Sequence, residues 1–338
     1  MVTSSNFSTL AIVSCADSGE LHVLRLSDSG QLQTTQVVAL GGQLMPMALS
    51  PDKTQLYVAR RSDPLAVISL AVNRAAANLE VLGESALPAS MASLHTDRTG
   101  RWLFSASYGA DMVAVQALDA NGQAAAPSIH ATGRHAHCVL ADPTNRFVLA
   151  ASLGGDQLHR YQFDADTGQL TPLNAPVFPM PAGTGPRHLC FNQRGDRLYV
   201  LGELDACLHV LSFDPTTGAM ASLQTVATLP PGFAGKAWGA DLHLTPDGRW
   251  LYSSERNSHT LAGHAVDSRT GQLNPVGHWP TQATPRGFAV TSDSRFLLVA
   301  GQTSHQVGVH AIDSASGALT LVGEHAVGLN PNWVEVVG

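Results

Sequence analysis

Short apolar runs of strand length recur along the whole chain, separated by clusters rich in Gly, Pro, Asp, Ser and Thr. Residues 185 to 203, GPRHLCFNQRGDRLYVLGE, show this pattern most clearly. PRHLCF and RLYVLGE are each typical of a buried strand, and QRGD between them has the composition of a turn. The stretch therefore predicts a strand, a tight turn and a second strand.

The same pattern recurs as five further intact copies and one split copy. The intact copies span 44 to 61, 90 to 108, 135 to 153, 239 to 256 and 284 to 302, and the split copy joins 8 to 17 with 330 to 338. The second strands align at seven anchors, spaced by 46, 47, 45, 50, 53 and 46 residues: Ala11, Tyr57, Phe104, Leu149, Tyr199, Tyr252 and Leu298. This period is typical of a β-propeller.

Each repeat has room for four strands, so the predicted fold is all-β, a seven-bladed β-propeller of four-stranded antiparallel blades. In the sixth repeat the predicted strands cover 285 to 291, 295 to 302, 306 to 313 and 318 to 327. The split copy predicts that N- and C-terminal strands share one blade, with 331 to 337 completing the blade begun by 7 to 40. Such a clasp removes an open sheet edge.

Composition narrows the classes of function. One propeller accounts for all 338 residues, which predicts a single domain over 1–338. The net charge of -7 and the absence of a Lys/Arg run argue against nucleic acid as a partner. Without a signal-peptide pattern or an apolar span, we expect a cytoplasmic protein with no membrane partner. The four cysteines lack CxxC spacing and are expected to be reduced packing residues: Cys15, Cys138, Cys190 and Cys207.

Comparing equivalent positions of the repeats identifies candidate site residues, since one position of every blade points to one ring around the channel. Twelve residues before the anchors lie His137, Arg187, Ala240 and Arg286. Four residues after the anchors lie Arg61, Tyr108, Leu153, Glu203, Arg256 and Gln302. Charges at strand ends also occur as solvated rims or ion pairs between blades. Their concentration at two ring-facing positions of neighbouring blades favours a binding site.

The histidines divide into two groups. Most lie on predicted third strands, where a packed or surface role is expected. His188 and His243 lie on predicted inner strands near the arginines and are candidates for substrate binding. His135 and His137 form an HxH pair, but no spacing fixes a further ligand, so we predict neither a metal nor another cofactor.

Several collinear motifs resemble those of a known family: GPRHLCF followed by LGE, QLMPMALSPDK, ADLHLTPDGR, TQATPRGF, VAGQTSH and AVGLNPNWVEV. Over essentially the full chain they resemble the seven-bladed propeller lactonases, which include bacterial 6-phosphogluconolactonases and fungal carboxy-muconate cyclases. The resemblance implies a cytosolic, metal-free hydrolase of the pentose phosphate pathway. The implied reaction converts a small phosphorylated sugar lactone, 6-phospho-D-glucono-1,5-lactone, to 6-phospho-D-gluconate.

The resemblance also implies site residues. The histidine, arginines and glutamate of the family's site match four positions of this chain: His137, Arg187, Glu203 and Arg256. Arg286 and His188 lie in matching motifs. Gly202 precedes Glu203 where relatives have asparagine, and this residue is a departure from the family pattern.

Lactone hydrolysis needs a base that removes a proton from water and a group that stabilises the oxyanion. We expect Glu203 or His137 to be the base, and the residues leave this choice open. Arg187 is expected to stabilise the oxyanion. No GxSxG motif or Cys-His-Asp arrangement is present, so no acyl-enzyme is expected.

The phosphate is expected to bind Arg256 and Arg286, together with Arg61, because guanidinium groups bind phosphate oxygens in pairs and stay charged. An exchange of roles between Arg187 and Arg286 stays open. Three further residues complete the predicted substrate-binding set: Tyr108, His188 and His243. A monomer is expected.

Two other functions are compatible with the sequence. The same ring of charges could serve a muconate-type cycloisomerase or a lactonase for another anionic lactone. A propeller can also be a non-catalytic scaffold for partner proteins, since a fold alone does not fix a function. The scaffold is disfavoured here because the charged positions gather at the channel instead of spreading over a rim.

Overall fold

The computed structural model describes residues 7–338, which form 28 strands and one 3₁₀ turn, Leu153–Gly155. The strands of the first half are β1 (Phe7–Cys15), β2 (Glu20–Ser27), β3 (Leu32–Ala39), β4 (Leu44–Leu49), β5 (Gln55–Arg60), β6 (Ala66–Asn73), β7 (Asn78–Ala86), β8 (Ser93–Thr96), β9 (Trp102–Ser107), β10 (Met112–Ala117), β11 (Ser128–Ala131), β12 (Ala136–Ala141), β13 (Phe147–Ser152) and β14 (Gln157–Asp164). Those of the second half are β15 (Gln169–Pro179), β16 (Pro186–Phe191), β17 (Arg197–Gly202), β18 (Cys207–Phe213), β19 (Met220–Ala227), β20 (Gly239–Leu244), β21 (Trp250–Glu255), β22 (Thr260–Val266), β23 (Leu273–Pro280), β24 (Pro285–Val290), β25 (Phe296–Gly301), β26 (Gln306–Ile312), β27 (Leu319–Ala326) and β28 (Pro331–Val337). None of the helical structure in this part of the chain is long and apolar enough to cross a membrane.

The strands form seven antiparallel four-stranded sheets, which are the blades of a propeller. Blades 1 to 6 use consecutive strands, from β4–β7 to β24–β27, whereas blade 7 has the order β28-β1-β2-β3. The first strand of each blade is innermost and contacts the first strand of the next blade, and β28 contacts both β24 and β4. The predicted seven-bladed propeller and its shared terminal blade are therefore confirmed.

The hydrophobic core lies between neighbouring blades. Tyr199 of β17, for example, packs with Leu251 of β21 in the next blade. Tyr199 and Tyr252 each donate a hydrogen bond to a glycine carbonyl of the following blade, Gly271 at 2.9 Å and Gly317 at 2.8 Å. Both glycines have a φ of 72°, as their turns were predicted to need. The glycine turns predicted from the sequence therefore also provide acceptors for hydrogen bonds between blades.

A β-bulge interrupts the pairing of the innermost strand in six blades, near the beginning of that strand. A bulged residue is left unpaired in the ladder, and its side chain is re-aimed out of the regular alternation. Five polar residues lie at these interruptions: His137, Arg187, Asp241, Arg286 and Asn332. The bulges therefore turn polar side chains of several blades toward one level of the channel.

Candidate active site

Glu203 is the centre of an ion-pair cluster at one end of the channel. Its Oε2 accepts hydrogen bonds from Arg187 Nε at 2.9 Å and from Arg256 Nη2 at 2.8 Å. Glu203 follows β17 of blade 4, Arg187 lies on the inner strand of the same blade, and Arg256 follows β21 of blade 5. One carboxylate oxygen therefore joins two blades, while Oε1 has no hydrogen bond to the described residues.

Backbone carbonyls hold the two guanidinium groups in place. Arg187 Nη1 donates to the carbonyl of Ala240. Arg256 donates through Nη2 to Gly239 at 2.8 Å and through Nε to Trp238 at 3.2 Å, and its Cζ lies 3.9 Å from the centre of the Trp238 ring. Both arginines are buried, so their orientations are fixed before any ligand binds.

The charged groups of this cluster shift one another's pKa values. Burial raises the pKa of the Glu203 carboxyl, but the charges of Arg187 and Arg256 outweigh burial and lower that pKa below its usual value. Burial lowers the pKa of Arg256 to about 9, and repulsion by Arg187 adds to this effect while Glu203 opposes it. At neutral pH the carboxylate and both guanidinium groups are charged.

Arg286 and Arg61 extend the cluster without an acidic partner. Arg286 makes no ion pair and no side-chain hydrogen bond with any residue between 7 and 338. Arg61 follows β5 and donates only to neutral side chains, among them Ser90 Oγ at 2.9 Å. Burial, and then repulsion by three neighbouring arginines, hold the pKa of Arg286 well below its usual range. Two cations without counter-ions make this end of the channel a favourable place for an anion.

His137 and Tyr108 border the cluster from blades 3 and 2. His137 is 6% exposed, and burial followed by the charge of Arg187 holds its pKa well below the usual value, so the ring is neutral. The Tyr108 ring stacks on His135 at 4.1 Å and meets His137 edge-on at 6.3 Å. The two residues of the HxH pair thus pack against one tyrosine in different ways, His135 by stacking and His137 edge-on.

His188 and His243 both bind Asp241, a carboxylate on β20. The distances are 2.6 Å from His188 Nδ1 to Oδ1 and 3.0 Å from His243 Nε2 to Oδ2. The His188 ring lies 5.3 Å from His137 and 5.8 Å from Trp333. His243 is 42% exposed, and both histidines line a cavity of about 750 Å³ that extends toward the opposite end of the channel. Burial and the charge of Arg187 lower the pKa of His188, but no arginine contributes to the raised pKa of His243. The structure places His188 beside the arginine cluster but His243 away from it.

Trp238 and Asp241 are candidates that the comparison of repeats missed. Trp238 ends the connection 228–238, the longest link between an outer strand and the next inner strand in the described chain. This insertion accounts for the 53-residue spacing between Tyr199 and Tyr252. Asp241 lies one residue after the compared position. The extra loop length and the acid inside the apolar run ADLHL were the available signals.

Gly202 lies where no side chain fits. A Cβ atom there would collide with the carboxylate of Asp205 and would lie 2.7 Å from the carbonyl oxygen of Thr184. Asp205 is itself fixed by His209 Nε2 at 2.9 Å and by the backbone N of Cys207 at 3.0 Å. Asp205 therefore occupies the space that an asparagine at position 202 would need.

Gly202→Asn is expected to lower the free energy of unfolding by about 1 to 3 kcal/mol, because the new side chain overpacks a tight site. Chemical denaturation measures this loss. Adding Asp205→Ala, with Asp205→Ala alone as the control, should recover part of the stability by removing the colliding carboxylate. Equal stability of Gly202→Asn and wild type would contradict the steric account.

The geometry defines what this end of the channel can do. Glu203 and His137 are proton acceptors, and Arg187 lies beside both as a fixed cation for a developing oxyanion. Arg61 and Arg286 can hold a second anionic group. These parts suit the attack of water on an activated ester that carries a negative charge.

Comparison with known proteins agrees with this chemistry. The family model described as lactonase, 7-bladed beta-propeller, matches residues 8–336. The 6-phosphogluconolactonase of Pectobacterium carotovorum subsp. carotovorum is 36% identical over 326 residues, which cover 96% of this chain and 97% of that protein. The 6-phosphogluconolactonase of Serratia proteamaculans is 36% identical over 282 residues, 83% of this chain and 84% of that protein.

A comparison with solved structures also finds a lactonase with the same fold. The periplasmic gluconolactonase of Pseudomonas aeruginosa superposes with a TM-score of 0.90 at 26% identity, covering 98% of this chain and 99% of that one. The family match spans nearly the whole chain, and the curated relatives align over most of their own length. This chain therefore belongs to the family of seven-bladed β-propeller lactonases.

Proposed function

We propose that this protein hydrolyses 6-phospho-D-glucono-1,5-lactone to 6-phospho-D-gluconate, a step of the pentose phosphate pathway. The observation that carries the proposal is the position of Arg286 and Arg61 beside the Glu203 cluster and His137. Neither cation has an acidic partner among residues 7–338. A phosphate would supply the missing counter-charge while the lactone carbonyl reaches the base and Arg187. The curated relatives named 6-phosphogluconolactonase support the same substrate.

The reaction needs one proton acceptor and one oxyanion partner. A water attacks C1 of the lactone, and the base, Glu203 or His137, takes its proton. The negative charge that develops on the carbonyl oxygen faces the guanidinium of Arg187, which is positioned in advance by Glu203 and Ala240. The bond between C1 and the ring oxygen then breaks, and the base returns its proton to that oxygen.

The arginines differ in how many hydrogen-bond donors they have free for a substrate. Arg256 donates to Glu203, Gly239 and Trp238, so most of its hydrogen-bonding capacity is used within the protein. Arg286 has all of its donors available. The phosphate role therefore fits Arg286 and Arg61 best, with Arg256 contributing charge and a remaining amino group. Tyr108, 37% exposed, would border the bound sugar.

The proposed function carries expectations for the oligomeric state and the cellular location of the enzyme. The enzyme is proposed to act as a monomer. A phosphorylated sugar does not cross membranes freely, so an enzyme for this substrate is expected in the cytoplasm.

The test compares two lactones that differ only in the phosphate. Arg286→Ala is expected to lower kcat/KM for freshly made 6-phosphogluconolactone about 10- to 100-fold, because a charged hydrogen bond contributes about 1.5 to 3 kcal/mol. Hydrolysis of unphosphorylated glucono-1,5-lactone should hardly change. Product formation is followed by coupling to 6-phosphogluconate dehydrogenase or, for the second lactone, by acid release.

Arg74→Ala, which removes an exposed arginine of the hairpin between β6 and β7, is the matched control and should leave both rates unchanged. No acceleration of either lactone by the wild type would favour the scaffold. Equal acceleration of both lactones, with no effect of Arg286→Ala, would favour a lactonase or cycloisomerase for another substrate.

A further inference from the structure

Asp241 accepts hydrogen bonds from residues of three blades. Besides His188 and His243, its donors are the backbone N–H groups of Leu242 at 2.9 Å and Phe288 at 3.2 Å. Burial raises the pKa of the Asp241 carboxyl, but the two histidines outweigh burial and hold it well below its usual range. Four donors converge on this buried carboxylate, so it is ionised and works only as an acceptor.

This acceptor fixes the tautomer of His188. Because Asp241 can only accept, the proton of the 2.6 Å contact is on His188 Nδ1. Burial lowers the pKa of His188 to about 4, so the ring is neutral and its Nε2 carries a lone pair. That nitrogen is buried and has no hydrogen-bond partner within the described residues. His188 therefore presents an unsatisfied acceptor in the wall of the channel.

His137 also has a buried ring nitrogen without a hydrogen-bond partner. Its Nδ1 is also buried without a partner within the described residues, and its ring centre lies 5.3 Å from that of His188 at an angle of 48°. A neutral histidine has one donor and one acceptor nitrogen. A proton on His137 Nδ1 would let the two neighbouring rings form one hydrogen bond that satisfies both buried nitrogens, whereas the other tautomer leaves two buried acceptors without a donor.

We propose that Asp241 is a positioning residue which, through His188, holds His137 with its proton on Nδ1 and its Nε2 free as the proton acceptor of the site. The inference rests on the proposed lactone hydrolysis. His137 Nε2, unlike Nδ1, is not among the buried nitrogens sealed from solvent, and no described residue binds it. Glu203, by contrast, already binds two arginines.

The charges around the two histidines fit this role. Six charged or titratable groups face them from the surrounding strands: Tyr108, Arg187, Arg256, Arg286, Asp241 and His243. Burial, and after it the charges of the arginines, hold the pKa of His137 low and keep the ring unprotonated, so Nε2 is available at neutral pH. After Nε2 takes the proton of water, the imidazolium is stabilised through His188 by the Asp241 carboxylate. Asp241 stays ionised throughout, and His137 returns the proton to the ring oxygen of the lactone.

The test is nitrogen NMR of the histidine side chains in the full-length protein, free and with 6-phosphogluconate. In the wild type at pH 7, both His137 and His188 are expected to carry the proton on Nδ1. Asp241→Asn should move the proton of His188 toward Nε2 and leave His137 in a mixture of tautomers. Its kcat should fall about 10- to 100-fold with KM changed less than about twofold, a smaller loss than a general base itself carries.

Glu20→Gln is the matched control, since it breaks a histidine–carboxylate pair with His22 on blade 7, away from the cluster. It should change neither the tautomers of the channel histidines nor kcat. Should Asp241→Asn fail to fold, His188→Gln interrupts the same chain and should give the same mixture at His137. A proton on Nε2 of wild-type His137, or unchanged tautomers in both variants, would overturn the proposal. The NMR result is independent of turnover, so an inactive wild type with the expected tautomers would count against the lactone and not against Asp241.

Discussion

Glu203→Gln is expected to lower kcat/KM at least about 100-fold and to lower the free energy of unfolding by about 3 to 5 kcal/mol. The reason is that one carboxylate oxygen binds both Arg187 and Arg256, which are 2% and 4% exposed. A neutral amide leaves two buried guanidinium groups without their counter-charge. Steady-state kinetics and chemical denaturation measure the two effects.

Glu84→Gln is the matched control, because Glu84 also pairs with an arginine, Arg60 Nη1 at 3.0 Å. That glutamate is 46% exposed, and exposed pairs contribute only about 0 to 1 kcal/mol. We expect near wild-type activity and stability from it. If Glu203→Gln were as stable and active as Glu84→Gln, the carboxylate could not be holding the two arginines of the site.

Acidification from pH 6.5 to about 4 is expected to lower the free energy of unfolding. Burial lowers the pKa to about 4 in four histidines: His95, His188, His264 and His310. Between pH 6.5 and about 4 the unfolded chain binds protons that the folded protein excludes, so stability rises with pH in this window. Each such histidine contributes about 1.4 kcal/mol per pH unit. Two raised pKa values act in the opposite direction but are outnumbered. They are that of His243, where the Asp241 carboxylate outweighs burial, and that of the Glu335 carboxyl, which burial raises to about 7.

Urea unfolding at pH 7.0, 6.0, 5.0 and 4.5 should therefore show a loss on the order of 5 kcal/mol. His264→Gln removes one buried titrating ring, so the slope of stability against pH should fall by about 1.4 kcal/mol per pH unit. The slope, and not the absolute stability of the variant, is the quantity to compare. A flat profile above pH 5 would mean that the buried rings accept protons without unfolding.

The number of blades and the closure of the ring could be predicted because they depend on local chemistry that repeats. Each blade repeats the same strand lengths and turn residues, so aligning seven copies gives the architecture without any knowledge of contacts. The alignment also placed His137, Arg187, Glu203 and Arg256 at ring positions. These four residues are brought together in the structure, since equivalent positions of neighbouring blades are close in any propeller.

The details of the site could not be predicted from spacing. Bulges in the inner strands decide which way Arg187 and Arg286 turn, and a one-residue irregularity leaves no signal in an apolar run. Trp238 was missed because it lies in an insertion that has no counterpart in the other blades. His243 was grouped with the arginines, but it lies near the end of β20 and lines the cavity toward the other end of the channel.

By itself, the sequence determined the all-β propeller, its seven repeats, its terminal clasp and the residue types at the ring, because periodicity and turn chemistry are properties of short segments. Only the tertiary structure decided which charged side chains pair with each other. It pairs Glu203 with two arginines and makes Asp241 the common acceptor of His188 and His243. Within the part of the chain that the structure describes, it pairs Arg286 with no acid. Such pairings depend on distances between strands that lie about 50 residues apart in the chain, which no local pattern records.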